Sequence, residues 1–315
     1  MFFGTKKPDR ETVLLLDVES GSVGSALALL ARGQSPKLFG ETRIFLPAAY
    51  SRDSAALLAQ VERAAREALV NAAQVAARLR SNTNVSSLGD VARVAVFFSA
   101  PWGAPDLSAG TQRFASPLQR SLEKEIEGYL GVGTRYYTGA DSASYGMTRL
   151  LPGEPIFVCV VRGETAELLL IGESGVQGYA TVPTGFNTVL RTLRSHGGLS
   201  DAESQSMFEL AMHPATAPFE PLDAAARHFV EEFAGAAQHL LGGAQTVNGI
   251  FVIAPGAAGE WFARTLGADE SLGAYFPQGG TVRALRARHL ASHMEAHRAS
   301  PDLHLLLETL FVGAN

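Results

Sequence analysis

The chain has 315 residues, of which 46% are apolar and 18% charged, with a formal net charge of −5. That length and composition exclude a disordered chain and a single small core, and suit two packed lobes or one large α/β domain. No segment concentrates Lys and Arg among aromatics, so nucleic acid is not an expected partner.

Cys159 is the single cysteine, set in the apolar run IFVCVV. It reads as a buried, inert thiol and leaves no intrachain disulfide or cysteine metal cluster. The opening residues MFFGTKKPDRET lack the apolar core of a signal peptide. No stretch approaches the ~20 apolar residues that span a bilayer. A cytoplasmic protein is therefore expected, with no direct membrane span, able to sit at the inner membrane through a partner.

In chain order, residues 12–18 and 23–31 read as buried strands joined by a Ser/Gly-rich turn, and ETRIFLP (41–47) as a third strand stopped by Pro47. Across 53–80, Leu58, Val61, Ala65, Leu69, Ala72, Ala76 and Leu79 recur at spacings of three and four, which predicts an amphipathic helix. SNTNVSSLGD (81–90) reads as a loop, and VARVAVFF (91–98) as a strand stopped by SAPWGAP. Leu118, Leu122, Ile126 and Leu130 share one face of a helix over 117–130.

The second half opens alike. Strands are expected at 155–161 and 166–172, then a turn and the short strand YATVP, then a helix opened by PTGFNTVLRTLRS (183–195). Ser200 and Glu203 have capping-box spacing for the next helix. An amphipathic helix at 221–241 leads to the buried strand GIFVIAP (249–255), the turn PGAAG and the short helix EWFARTLG. A helix over 281–297 and a last strand near 303–312 complete the reading. Both halves thus run from strands with small-residue turns into helices, as a duplicated βββα unit would, and predict α/β lobes with a cleft between them.

The order of these motifs resembles the actin-like nucleotide-binding superfamily, particularly the branch that holds the division protein FtsA and the pilus-assembly protein PilM. The first phosphate motif is matched by Asp17-Val18-Glu19-Ser20-Gly21-Ser22-Val23-Gly24, with Glu19 where the family has Gly. The second is matched by Gly163, Thr165 and Glu167 in VVRGETAE, with Arg162 replacing a Gly and the leading Asp absent. Ala254-Pro255-Gly256 stands in the place of the adenosine motif, and FFSAPW (97–102) and TVPTGFNTVLRTL (181–193) resemble further family steps.

The resemblance implies a two-lobed, ribonuclease H-like fold of duplicated βββαβα units around a central cleft. The first lobe would run to about residue 150, its inserted subdomain reduced or absent, and the second from 151 to 315. The implied cofactor is ATP or ADP with Mg²⁺. The implied contacts are Asp17, Ser20, Gly21, Ser22, Gly163, Glu164, Thr165 and Gly256, with Asp17 helping to hold the metal.

Small residues in such turns let backbone N–H groups approach a phosphate. Read from its residues alone, the Asp17-to-Ser25 stretch is equally an ordinary polar hairpin. Glu19 adds charge beside the phosphate position, where two like charges ~4 Å apart repel by about 1 kcal/mol in water and more in a cleft. Arg162 would offset this by pairing with phosphate or with Glu19. Glu164 and Glu167 admit the roles of metal ligand, general base or surface charge, the last being the commonest.

The expected function is a cytoplasmic scaffold of the PilM and FtsA kind, in type IV pilus assembly or cell division. It would bind a short peptide tail of an inner-membrane protein, with self-association open and ATP hydrolysis weak or lost. The alternatives are an active ATPase or a sugar-kinase-like phosphotransferase, for which Asp141 in TGADSAS is the candidate base, and a structural protein that never binds nucleotide. His289, His293 and His297 fall at i, i+4 and i+8 of the helix expected over 281–297, and read as a solvated basic face rather than a zinc site. Ser99 has no nucleophile-elbow motif. Trp102 and Trp261 read as core or lobe-interface anchors.

Overall fold

Strands β1 (Arg10–Val18), β2 (Ser22–Ala31) and β3 (Lys37–Phe45) form an antiparallel meander, with Asp17 opposite Gly24 and Leu16 opposite Ser25. In the computed structural model, residues 10–47, 54–81, 88–173, 175–213, 219–242, 246–275 and 280–315 are described. The opening residues 1–9 and positions 82–87 of the expected loop lie outside them.

β1 is apolar on successive residues because helices cover both faces of its sheet. Leu14, Leu16 and Val18 meet the apolar stripe of α1 (Ser54–Ser81), through Val61, Ala65 and Leu69. Val13 and Leu15 face the opposite layer. Parallel strands β4 (Val91–Phe98) and β7 (Gly133–Thr138) extend the sheet beyond β1. Between them lie the hairpin β5 (Gly103–Asp106) and β6 (Thr111–Phe114), and helix α2 (Ser116–Leu130). Helix α3 (Gly139–Leu150) follows β7.

The second half repeats the plan. β8 (Ile156–Val161), β9 (Ala166–Gly172) and β10 (Gly175–Val182) are antiparallel, and β11 (Gly249–Ile253) and β12 (Thr281–Ala284) add parallel strands beside β8. Helices α4 (Phe186–Gly197), α5 (Asp201–Ala211) and α6 (Glu220–Leu241) separate β10 from β11, and α7 (Ala258–Gly267) follows β11. The sheet orders are β3-β2-β1-β4-β7 and β10-β9-β8-β11-β12, the same permutation twice, so the duplication expected from sequence is present in the topology.

The chain then returns to the first sheet. After the single-turn α8 (Ala287–Leu290), strand β13 (Glu295–Ala296) pairs with β3, and α9 (Leu303–Ala314) packs on α3 and the meander. Two sequence expectations are corrected here. The 281–297 stretch is not one helix: it is β12, α8, a turn and β13, held by the Lys37–Glu295 ion pair at 2.8 Å. His289, His293 and His297 therefore do not share a helix face. His289 Nδ1 accepts from the Arg286 N–H, and the His297 ring stacks on Phe39.

The 303–312 stretch is a helix rather than a strand. LHLLLETLFV is buried nearly all round because α9 lies between the first sheet and α3, so its long apolar run is broken only by the buried His304, Glu308 and Thr309. One hydrophobic cluster joins Val13, Leu15 and Phe97 of the first sheet to Val158, Val160 and Leu169 of the second, and to α9. Trp102 and Trp261 are buried, in the first- and second-lobe cores, and Cys159 is buried with its thiol pushed up to about 12 by desolvation.

Candidate functional site

The β1–β2 turn and the β8–β9 turn meet backbone to backbone. A Cβ on Gly21 would lie 2.5 Å from the Gly163 Cα, and one on Gly163 would lie 2.5 Å from the Gly21 N. Real Cβ atoms do not approach backbone so closely, so both positions require glycine. The Glu19 carboxylate sits between the turns. Its Oε2 accepts from the backbone N–H of Gly163 at 2.7 Å and of Gly21 at 3.1 Å, and its Oε1 from the Ser22 hydroxyl at 2.5 Å. Ser20 Oγ accepts from the Glu164 N–H at 3.0 Å, a second bond across the lobes.

Below the turns lies a buried ion network. Asp17 is fully buried and takes Arg162 Nη1 at 3.0 Å and Arg43 Nη2 at 2.7 Å, both on Oδ2. Burial alone would raise its pKa, but the Arg162 and Arg43 guanidiniums hold it well below the usual carboxylate range. Arg43 also binds Asp302 through Nε at 2.5 Å and donates to Ser22 Oγ at 2.7 Å. The missing side chain of Gly24 makes room for it, since a Cβ there would lie 2.7 Å from Arg43 Nη2. Burial favours the acid form of Asp302 too, and Arg43 overcomes it, leaving the pKa lowered. Asp302 serves at the same time as the N-cap of α9, accepting from the N–H of His304 and Leu305.

Glu167 is buried rather than on the surface, which corrects the commonest reading of that residue. Burial raises its pKa; its Oε1 accepts from the Tyr179 hydroxyl at 2.9 Å and from the Ala100 N–H at 3.3 Å. Its Oε2 stands 3.9 Å from Arg162 Nε, and neither atom has a hydrogen-bond partner among the described residues. From α9, His304 and Glu308 add two more buried groups. Burial pushes the histidine down to about 3, which keeps it neutral near pH 7, and pushes the glutamate well above its ordinary value, which favours its acid form. Ser99 Oγ, His304 Nε2 and both Glu308 oxygens are likewise without hydrogen-bond partners among the described residues.

The remaining expected contacts are also engaged. Glu164 pairs with Arg191 at 2.8 Å and accepts from Asn187 at 2.7 Å, while Thr165 Oγ1 donates to the Ala100 carbonyl at 3.3 Å. The first amides of α4, on Phe186 and Asn187, donate to the carbonyls of Arg162 and Gly163 at 2.8 and 2.7 Å, so this helix start holds the turn instead of facing outward. Arg162 pairs with Asp17 and stands by Glu167, not with Glu19. Asp141 is the third residue of α3, in a capping box with Thr138. Its Oδ2 accepts from the Thr138 N–H at 2.8 Å and hydroxyl at 2.7 Å, and from Gln112 at 2.5 Å, so this candidate base is engaged in starting the helix.

A cavity of about 600 Å³ opens beside the joined turns. Glu19, Gly21 and Gly163 line one end, Pro255, Gly256 and Ala257 another, and Phe45, Leu46, Phe186 and Leu190 supply apolar walls. Gly256 has φ +54° in the turn after β11. The cavity thus gathers three expected motifs, but among the described residues its lining has no Lys or Arg to meet a phosphate.

A Mg²⁺–triphosphate held between the turns does not fit these residues. The turns leave no space for a methyl group, their amides of Gly21 and Gly163 are taken by Glu19, and Asp17 is neutralised by two guanidiniums. Among the described residues no group of three or more His, Cys, Asp or Glu could hold a metal ion. Sequence reading found Asp17, Glu19 and Arg162 but missed Arg43, Asp302, His304 and Glu308. The i, i+4 spacing of His304 and Glu308 was the available signal for a helix with a polar strip.

No protein-family model and no curated protein matches the chain. Solved structures do match in fold. The type IV pilus biogenesis complex PilM–PilN aligns with 12% identity and a TM-score of 0.58, over 96% of each chain. The ethanolamine utilization protein EutJ from Carboxydothermus hydrogenoformans aligns at 13% and 0.51, over 98% of this chain and 90% of its own. A non-polymerising variant of MamK bound to AMPPNP aligns at 11% and 0.50, over 91% and 97%. The chain therefore has the two-lobed actin-like α/β fold.

Proposed function

We propose that this actin-like chain is a scaffold that works without nucleotide, binding a peptide segment of an inner-membrane protein and linking it to cytoplasmic machinery. One observation carries the reading. The Glu19 carboxylate occupies the amide nest between the turns, with Arg162 and Arg43 on Asp17. An anion and two cations of the chain itself thus fill the positions where the resemblance puts a phosphate and its metal. Asp17, Ser20, Gly21, Ser22, Gly163, Glu164 and Thr165 then act as an interlobe latch, and Gly256 shapes the wall of the cavity next to it.

The likeness to PilM in complex with PilN supports a partner segment as the ligand and favours pilus assembly over cell division. Among the described residues no helix is long and apolar enough to cross a membrane, which is compatible with attachment through that partner. The MamK likeness is to a nucleotide-bound protein, and an ATPase or kinase reading would require the latch to open.

Calorimetric titration with Mg-ATP, paired with a phosphate-release assay, tests the nucleotide half. No heat of binding and no turnover are expected, and micromolar binding with sustained release overturns it. Crosslinking in cells followed by membrane fractionation tests the partner half. Recovery with an inner-membrane protein, unchanged by depleting ATP, is expected; an exclusively soluble, uncrosslinked protein overturns it.

A further inference from the structure

The outer edge of the second lobe carries a concentration of positive charge that the latch does not use and that the fold uses only in part. Helix α7, edge strand β12 and α8 enclose an open concavity of about 690 Å³. Arg264, Arg283, Arg286 and Arg288 line it with His289 and a single carboxylate, Glu260. All four arginines are exposed, in a chain whose formal net charge is −5.

Their existing partners are few. Arg286 binds Glu260, and Arg264 donates to the carbonyls of Ala211 and Met212 at 2.8 and 3.1 Å. The side chains of Arg283 and Arg288 have no hydrogen bond or ion pair among the described residues. The charges act on one another: burial, then Arg288 and Arg286, lower the pKa of His289, and the Arg286 hydrogen bond leads the lowering of Glu260, to which Arg264 and Arg288 add. His289 is thus neutral near pH 7. Its Nδ1 accepts from the Arg286 N–H, which leaves Nε2 as a further donor.

Packing four guanidiniums around one carboxylate is unfavourable unless an anion completes the set. Their excess of three positive charges is poorly met by one carboxylate side chain and better met by a multivalent oxyanion, whose oxygens match the guanidinium fork. The floor, made of Ala263, Gly267 and Ala284, is small and lets such a group enter.

We propose that this concavity is a binding site for a phosphoryl group, presented either by a small phosphate compound or by a lipid headgroup. Arg283 and Arg288 are the free clamps, and Arg286 exchanges part of its contact with Glu260 for the ligand. The site lies apart from the latch, and its occupancy does not depend on the scaffold reading.

The test uses the whole protein and two probes. Inorganic pyrophosphate is titrated by calorimetry, and phosphatidylcholine vesicles with and without phosphatidylglycerol are tested by flotation. Binding of either probe should weaken as salt rises, and fall by about tenfold or more in the double variant Arg283→Glu/Arg288→Glu. Pyrophosphate binding identifies a soluble ligand, and retention only by phosphatidylglycerol vesicles identifies a headgroup. Should the reversed pair fail to fold, Arg283→Gln/Arg288→Gln removes the charges without reversing them. Binding of neither probe, or binding equal in wild type and variants, overturns the proposal.

Discussion

Asp17 holds two guanidiniums, so removing its charge strands two cations at a site with no access to water. Breaking a buried pair from one side costs about 3–5 kcal/mol, because the remaining charge is left without compensation. Asp17→Asn should lower unfolding stability by that order, measured by urea denaturation. Glu167→Gln should cost far less, since burial already favours the protonated acid there. His304 brings a pH dependence with a defined sign. Burial pushes its pKa down to about 3, from 6.5 in the free side chain. Between those values the unfolded chain holds a proton that the folded chain does not. Its contribution is therefore complete above the unfolded value and is lost as pH falls through the window toward 3. Glu167 and Glu308 act oppositely: raised in the fold, they favour it at low pH and lose that contribution as pH rises through their folded values. His304→Gln should reduce the slope of stability against pH by about one proton, or about 1.4 kcal/mol per pH unit, across the acid side of neutrality. Denaturation curves at a series of pH values read that slope directly; parallel slopes for wild type and variant would contradict a neutral buried histidine.

At the scale of elements, α3 begins at a turn that the sequence did not advertise. Its residues GADSASYG are mostly small, so they carry no apolar stripe, and Asp141 stood out only as a candidate base. The capping box ties Asp141 to Thr138 instead. Thr138→Ala should cost about 1 kcal/mol, the usual value of an N-cap hydroxyl, measured as a shift of the thermal or urea midpoint without change in cooperativity. The neighbouring α9 escaped for the opposite reason. A helix buried on nearly every side, its apolar run broken mainly by His304 and Glu308, offers little period to count. The strands β1, β2, β8 and β9 were legible because each is an uninterrupted apolar run bounded by small turn residues. Their turns were visible as stretches of small residues, but the ion network beneath them was not. Arg43 and Asp302 are 259 residues apart in sequence, and nothing local in ETRIF or SPDLH says that they will meet. The sequence thus marked both ends of the Asp17–Arg162 pair and neither end of Arg43–Asp302.

Across the whole molecule, the two lobes are joined in two ways that fail differently. The cluster containing Val13, Val158 and α9 is a packed hydrophobic seam, and its loss would unfold the chain. The turn-to-turn contact is a polar latch at the mouth of the cleft, where Gly21 and Gly163 touch through bare backbone. A single methyl group placed there meets main-chain atoms that have no rotamer to yield. Gly163→Ala should therefore push the turns apart while the seam holds, costing about 1–3 kcal/mol as overpacking does. The amides of Gly21 and Gly163, which donate to Glu19, should then exchange hydrogen much faster than in wild type, while those of β1 and β8 stay protected. Small-angle scattering should show a larger radius for the variant. If Gly163→Ala instead leaves the exchange of both turns unchanged, the lobes are not held by this contact. Global loss of protection in β1 and β8 would mean that latch and seam form one cooperative unit, with no separate opening of the cleft.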